Sequence, residues 1–282
     1  MSLADHLRKL RPAPGQSGPL RDPSARAGRN QAEDAIGTAL RGLLSAPERS
    51  RLGGDWIHAS QLYKFCSRQH VIAVEERAAG RGLLEVFGAP LRWRFDVGNA
   101  VHDIVRDRLA EAGIIEGRWE CPRCETIFPE NESETCRRPW ERCDCGTPVR
   151  FVEPTFRNHE HRISGNPDGI YVETRVGREP LEIKSIESAL FRLKGKLPLP
   201  EHVFRVNLYC WLSGMPRGRI LYASTGIEHA SPFREFTVRF DLRVVQHVIK
   251  RVAELRGGGV RACVDADDTR ALTCPVRKQC WR

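Results

Sequence analysis

The sequence predicts an α/β fold, with a mixed sheet flanked by helices. Three observations predict it. Helical patterns are read over 61–79 and 97–112, and again near residues 203–212 and 242–255. Short apolar or alternating runs of strand type fill residues 149–185 and 218–240. The two kinds of segment interleave along the chain, which suits a layered α/β core.

Residues 1–53 are rich in Gly, Pro, Arg and Ser and read as a flexible basic arm. One helical stretch interrupts it, Gln31–Leu44, with Ala35, Ile36, Leu40, Leu43 and Leu44 apolar. Order is expected from Trp56, which puts the main domain at 54–282. Ser60 is a fitting N-cap for a helix over Gln61–Ala79. A second helix, Val97–Ala112, carries Val101, Ile104, Val105 and Leu109 at helical spacing. The pattern breaks over 117–148. Strands follow at Val149–Glu153, His161–Ser164, Gly169–Thr174 and Leu181–Ser185. Then come a helix at Val203–Leu212, strands at Gly218–Ser224 and Arg234–Phe240, and a last helix over Leu242–Leu255. No internal repeat is visible.

The chain has 282 residues, 40% apolar and 29% charged, which excludes a collagen-like or wholly disordered polymer. No apolar run approaches the roughly 18–20 residues of a membrane span, so no membrane association is expected. The opening MSLADHLRKLRPAPGQ has no apolar segment of the secretory kind, so a cytoplasmic location and reduced thiols are expected. The net charge of +9 is carried by 38 Arg and 7 Lys. Arg forks suit phosphate, which makes nucleic acid a candidate partner. A GC-rich genome accounts for the same bias equally well.

The sharpest chemical signal is GNPDGIYV (Gly165–Val172) followed by LEIKS (Leu181–Ser185). Alternate residues of a strand share a face, so Glu182 and Lys184 stand together while Leu181 and Ile183 face away. A hairpin can bring Asp168 beside Glu182. Two carboxylates on one face make a hard-oxygen site for Mg²⁺ or Mn²⁺, and a neighbouring Lys184 can hold an attacking water. His102, in GNAVHDIV on the second helix, is a third candidate. Taken singly, these features also fit a solvated hairpin and a surface histidine.

Ten cysteines form the second signal. Close clusters in a reduced compartment read as metal ligands. Cys121-x-x-Cys124 and Cys143-x-Cys145 suggest a zinc ribbon over 117–148, with Cys136 able to replace one member. Zn²⁺ would fold a segment too polar to form a core of its own. The ribbon's Arg137, Arg138, Trp140 and Arg142 could grip single-stranded DNA, or the insertion could be purely structural. In FRLKGK, Arg192, Lys194 and Lys196 could line a DNA groove or belong to a solvated loop. Cys210 reads as a core residue.

The order Gly98-x-x-x-His102, Gly165-x-x-Asp168-Gly169 and Glu182-x-Lys184 resembles the PD-(D/E)xK nucleases. The resemblance is to the RecB-like branch, with the CRISPR-associated iron–sulfur exonucleases and their phage relatives, and covers about 56–282. It implies a restriction-endonuclease-like core and a DNA nuclease acting on ends or single strands, in repair, recombination, phage replication or defence. It also implies that His102, Asp168, Glu182 and the Ile183 carbonyl ligate Mg²⁺ or Mn²⁺, and that Lys184 positions the nucleophile. The branch carries Gln-x-x-x-Tyr on the next helix. Tyr209 fits and would face the site as a catalytic residue. Arg205 stands at the Gln position, so either Arg205 contacts the DNA backbone or Asn207 takes the polar role.

Cys66, in IHASQLYKFCSRQHVI, and Cys274-x5-Cys280 resemble the cysteines that hold a 4Fe–4S cluster in this branch. Ala271 occupies the remaining position, and Cys263 is the spare thiol. The implied set is Cys66, Cys263, Cys274 and Cys280, a staple between the two ends of the domain. The rival reading is a non-catalytic, zinc-containing accessory protein that binds nucleic acid.

Overall fold

The computed structural model describes residues 35–49, 54–81, 83–85, 87–138, 142–173, 177–193, 195–226, 231–256, 271 and 274–281. Its helices are α1 (Ala35–Leu44), α2 (Ala59–Leu62), α3 (Ser67–Ala78), α4 (Ala89–Glu111), α5 (Ser188–Arg192), α6 (Pro200–Ser213), α7 (Leu242–Arg256) and α8 (Arg277–Cys280). Its strands are β1 (Glu48–Arg49), β2 (Ile57–His58), β3 (Leu84–Glu85), β4 (Ile115–Glu116), β5 (Arg118–Glu120), β6 (Ile127–Phe128), β7 (Arg150–Val152), β8 (Phe156–Asn158), β9 (Ile163–Gly165), β10 (Gly169–Glu173), β11 (Gly177–Ile186), β12 (Arg217–Ser224) and β13 (Phe233–Arg239). The chain divides into two units, the first ending at Leu43 and the second starting at Leu44. In the first, α1 leaves Leu40 and Leu43 exposed.

The second unit is built on a five-stranded sheet in the order β13-β12-β11-β10-β4. β11 and β12 run parallel, and the other neighbours run antiparallel. This is the mixed sheet the sequence predicts. A parallel pair needs a crossover, which the chain makes through α5 and α6. α6 opens with Pro200, where a missing N–H costs nothing, and closes on Gly214 at φ +72°.

Strand parity decides what each face meets. Ile186, Ile220 and Tyr222 pack on Val206 and Cys210 of α6. Leu181, Ile183 and Ala223 turn the other way, onto Val101, Val105 and Leu109 of α4. Leu208 and Tyr209 of α6 pack against Val245, Val248 and Val252 of α7. α6 is therefore apolar on both sides, as a helix between two layers must be. At Gly98 of α4, an added Cβ would lie 3.2 Å from Ser185 Oγ. The glycine lets α4 lie close on β11, one turn before His102.

The cysteine-rich insertion grows out of the edge strand. Glu116 pairs with Ile170 in the main sheet, while Arg118 pairs with Val152 in a separate sheet of order β6-β5-β7. Trp119 packs edge-on to Phe151 with ring centroids 5.1 Å apart, and joins Val149 in a small core. Among the described residues, no helix is long and apolar enough to cross a membrane.

The structure corrects two elements. The single helix over Gln61–Ala79 is two helices, α2 and α3, broken at Tyr63–Cys66. His58, not Ser60, caps α2, its ring accepting the Ser60 N–H at 3.3 Å. Cys66 caps α3 through Sγ, which accepts the Gln69 N–H at 3.4 Å. Phe65 and Cys66 are weak helix formers, so a break that supplies a new cap costs little. α4 also begins at Ala89 rather than Val97, with Pro90 in its first turn. Leu91, Trp93 and Phe95 in these added turns are exposed, so they do not extend the buried stripe that periodicity detects.

Candidate active site and thiol centres

The site forms at a step in the central sheet. β10 and β11 pair from Gly169–Leu181 to Glu173–Gly177, whereas β11 pairs with β12 from Leu181 to Ile186. β11 thus runs on past the start of β10, and Asp168 sits at the step. Its N–H donates to the Leu181 carbonyl at 2.8 Å, and its Oδ2 accepts the Ile183 N–H at 2.6 Å. The carboxylate satisfies a strand edge that would otherwise lack a partner. His102 reaches the same carboxylate from α4, with Nδ1 3.1 Å from Oδ1.

Glu182 and Lys184 stand on the α6 face of β11. Glu182 Oε1 lies 2.7 Å from Lys184 Nζ and 2.6 Å from Arg205 Nη1. Lys184 Nζ also donates to the Ile183 carbonyl at 2.9 Å. Two cations thus converge on a carboxylate that is only 1% exposed, which repays the cost of burying it. Burial alone would push the Asp168 carboxyl up. The His102 hydrogen bond, the Lys184 charge and the Ile183 N–H together outweigh it and hold Asp168 below the usual carboxylate range.

Sequence reasoning missed Glu153. It follows β7 and is gripped by Arg106 at 2.7 Å, one turn beyond His102 on α4. Burial and then the charge of Asp168 raise its carboxyl above the usual range, against the pull of Arg106 and His102. No motif marks Glu153. The available signal was Arg106, an arginine on the His102 face of a packed helix, which demands a carboxylate partner.

Tyr209 lies beneath the carboxylates and is 2% exposed. Burial, then the Glu182 charge, pushes its hydroxyl well above the ordinary value. Its ring packs on Gly165, where an added Cβ would lie 2.9 Å from it. Asn207 serves a different junction, donating to the Val203 carbonyl at 3.0 Å and accepting the Asp241 N–H at 2.7 Å.

An open cleft of about 1330 Å³ reaches this site. His102, Lys184 and Arg205 line its inner end, Gln69 and Pro275 part of one wall, and Phe87 and Phe95 the outer part. Arg192 and Lys196 are exposed and are not among its lining residues. Lys194 lies outside the described residues.

The sulfurs of Cys121, Cys124, Cys143 and Cys145 all lie within 4.8 Å of one another. Cys121 is 3.4 Å from Cys145, and Cys124 is 3.6 Å from Cys143. Four thiolates around one Zn²⁺ stand about 3.8 Å apart. The two knuckles repeat one design. Cys121 N–H donates to the Thr126 carbonyl at 2.9 Å and Cys143 N–H to the Thr147 carbonyl at 2.8 Å. The Thr126 hydroxyl lies 3.1 Å from the Cys124 sulfur and Thr147 Oγ1 3.4 Å from that of Cys145. Hydrogen bonds from Thr126, side chain then backbone, bring Cys124 down to about 6. Cys136 stands apart from this group. Its backbone pairs with Gly117, and its carbonyl accepts Trp119 Nε1–H at 3.2 Å. Arg138 lies over the Trp119 ring at 5.7 Å, Arg142 donates to the Gly146 carbonyl at 3.0 Å, and Trp140 is outside the described residues.

Cys66, Cys274 and Cys280 approach one another where α3 begins. Gln69 donates to Cys66 Sγ through its N–H and to Cys274 Sγ through Nε2, the latter at 3.6 Å. Arg68 donates to the Cys280 carbonyl at 2.8 Å. Burial raises the Cys274 thiol, and Cys66 and Cys280 add to the rise. Cys263 lies outside the described residues.

No family model matches the sequence, and no curated protein does. Solved structures with a similar course of chain include SSO0001, 14% identical, with a TM-score of 0.42 over 89% of this chain and 96% of that one. They also include an alkaline exonuclease, LHK-Exo, from Laribacter hongkongensis, 15% identical, with a TM-score of 0.45 over 78% of this chain and 91% of that one. The same exonuclease in complex with dAMP is 15% identical, with a TM-score of 0.47 over 73% of this chain and 90% of that one.

Proposed function

We propose that the chain is a metal-dependent nuclease that hydrolyses phosphodiester bonds in DNA, at ends or in single strands. The observation that supports it is the step in the sheet. There a histidine, two carboxylates, a strand-edge carbonyl and a lysine meet at the inner end of one open cleft.

The donor set fits a hard divalent ion. Asp168 is held ionised at neutral pH, and the Ile183 carbonyl shares the strand edge with the N–H that Asp168 binds. We assign His102, Asp168, Glu182 and the Ile183 carbonyl to Mg²⁺ or Mn²⁺. Such an ion would lower the pKa of a bound water and offset charge on the phosphate. Lys184 orients the attacking oxygen, and Arg205 offers N–H groups to a phosphate oxygen. The attacking water gives a proton to solvent as its oxygen bonds to phosphorus, the bond to the leaving sugar oxygen breaks, and that oxygen takes up a proton from solvent. Arg106 keeps Glu153 in place beside the pair.

In the same reading Cys121, Cys124, Cys143 and Cys145 hold structural Zn²⁺. Cys66, Cys274 and Cys280, with Cys263, hold a 4Fe–4S cluster that ties the ends of the nuclease domain, residues 54–282.

End-labelled DNA, single-stranded and duplex, incubated with the protein and Mg²⁺ or Mn²⁺ should be degraded, with matched RNA strands as the comparison. Withholding the ion should stop cleavage. Asp168→Asn and Lys184→Ala should each lower the rate by at least about a thousandfold, roughly 4 kcal/mol of barrier, with an unchanged circular dichroism spectrum. Full activity in Lys184→Ala would falsify the assignment.

A further inference from the structure

The outer half of the cleft has a chemistry that metal binding does not explain. α4 runs along it, and its cleft side presents Leu91, Phe95, Asn99 and His102 on successive turns. Phe95 leaves 43% of its surface exposed in the cleft. Phe87 braces that ring edge-on, with centroids 5.4 Å apart and planes at 85°. An aromatic ring held on its edge and open on a face is costly in water unless something covers it. Nearby Arg92 is committed to Glu48 and Asp96, at 2.5 and 3.4 Å. Arg94, the other cation lining this part, is exposed and 3.8 Å from an equally exposed Glu187, so the spot offers an apolar ring beside a cation, which suits a base and its own phosphate. Phe95 lies seven residues before His102, about 10 Å along the helix axis. A strand whose phosphate sits at the His102–Asp168 pair would bring a base one or two nucleotides away to this ring.

We propose that Phe95, braced by Phe87, is a stacking platform for an unpaired base flanking the scissile phosphate, so that the cleft selects single-stranded nucleic acid. The proposal rests on the nuclease reading of the cleft. Every base has an aromatic face, so such a platform selects for strandedness without reading sequence. A paired base has both faces covered by its neighbours and cannot use it.

The test is fluorescence anisotropy of a short labelled DNA strand on the full-length protein, with Ca²⁺ in place of Mg²⁺ to prevent cleavage. A matched series of strands carries one abasic position, moved stepwise along the strand. For the wild type, one abasic position should weaken binding roughly 5- to 150-fold. Phe95→Ala should weaken binding of the intact strand by a similar factor and lose the abasic penalty. Phe95→Tyr should behave as wild type. Phe95→Leu, which restores apolar bulk but no aromatic face, should behave as Phe95→Ala.

An abasic penalty that survives in Phe95→Ala, or full rescue by Phe95→Leu, overturns the proposal. So does failure of the wild type to bind the single strand. The two readings fail separately. A Phe95-dependent abasic penalty in a protein that cleaves nothing with Mg²⁺ or Mn²⁺ retains the platform and removes the nuclease. Cleavage by a protein whose abasic penalty ignores Phe95 does the reverse.

Discussion

The Asp168 site and the four-thiol knuckle differ in where their order comes from. The first draws on stretches far apart in the chain, with His102 on α4, Asp168 and Glu182–Lys184 on a hairpin, and Arg205 on α6. Packing holds them, because the strands beneath are buried on both faces by α4 and α6. The second lies within Cys121–Cys145, where backbone bonds close each knuckle on itself. Its apolar support is Trp119, Val149 and a few partly buried neighbours. Burial of apolar area can stabilise the first without any ion. The second has less of it, and an ion held by the four thiols would offset the ordering of its chain.

The largest expected effect follows from that contrast. Removing metal with a chelator, or Cys143→Ser, should abolish hydrogen-exchange protection over residues 118–152. Protection of β11, β12 and α6 should persist. A structural Zn²⁺ contributes on the order of 10 kcal/mol to such a segment. A ribbon that stays protected without metal would break the comparison.

The packed region should respond to crowding instead. An added Cβ at Gly165 would meet Tyr209 and Leu212 at 2.9 Å. The Tyr209 ring is buried and cannot swing aside. Gly165→Ala should cost about 1–3 kcal/mol in urea unfolding and leave the metal content of the thiols unchanged. A neutral result would mean that α6 is free to shift on β9.

The packed region should also answer to acid. His202 sits on α6 with Nδ1 2.7 Å from the Tyr222 hydroxyl. Burial first, then the nearby Lys184 charge, brings it down to about 4 from an ordinary 6.5, with Arg205 in the same sense and Glu182 and Glu201 opposed. The unfolded chain binds a proton near pH 6.5 and the folded chain only near pH 4, so stability falls as pH drops through that window. The loss is on the order of 2 kcal/mol after allowing for partial exposure. His202→Gln should flatten the dependence of urea stability on pH between these limits. An unchanged slope would assign the effect to other groups.

The same contrast explains what could be read in advance. Strand parity and a hairpin are local, so the placing of Asp168 beside the Glu182–Lys184 strand was visible in GNPDG and LEIKS. So was the pairing of Cys121-x-x-Cys124 with Cys143-x-Cys145, because knuckle spacing reports its own geometry. The mixed sheet followed from interleaved helix and strand periods. Glu153 was hidden, since its partner Arg106 lies on α4 and only the folded chain brings them together. The break at Tyr63–Cys66 was hidden too, because it depends on a thiol cap rather than on a Gly or Pro. The early start of α4 escaped because its first turns face a cleft instead of a core.

The smallest expected effect lies within the knuckle repeat itself. Glu125 and Gly146 occupy the same place, each directly after the second cysteine of its knuckle. Both are left-handed, at φ +59° and +81°. The turn needs that backbone because it swings the next residue back, so that the Thr126 carbonyl reaches Cys121 N–H, at 2.9 Å, and the Thr147 carbonyl Cys143 N–H, at 2.8 Å. Gly146 adopts it without strain, whereas Glu125 carries a Cβ there at a cost of about 1 kcal/mol. The Glu125 side chain is exposed, so replacing it removes little packing. Glu125→Gly should therefore strengthen metal retention by up to about fivefold in a chelator competition. It should leave the urea stability of the central sheet unchanged. If Glu125→Gly weakens metal retention, the added freedom of the unfolded chain outweighs the relieved strain, and the two knuckles are not equivalent in energy.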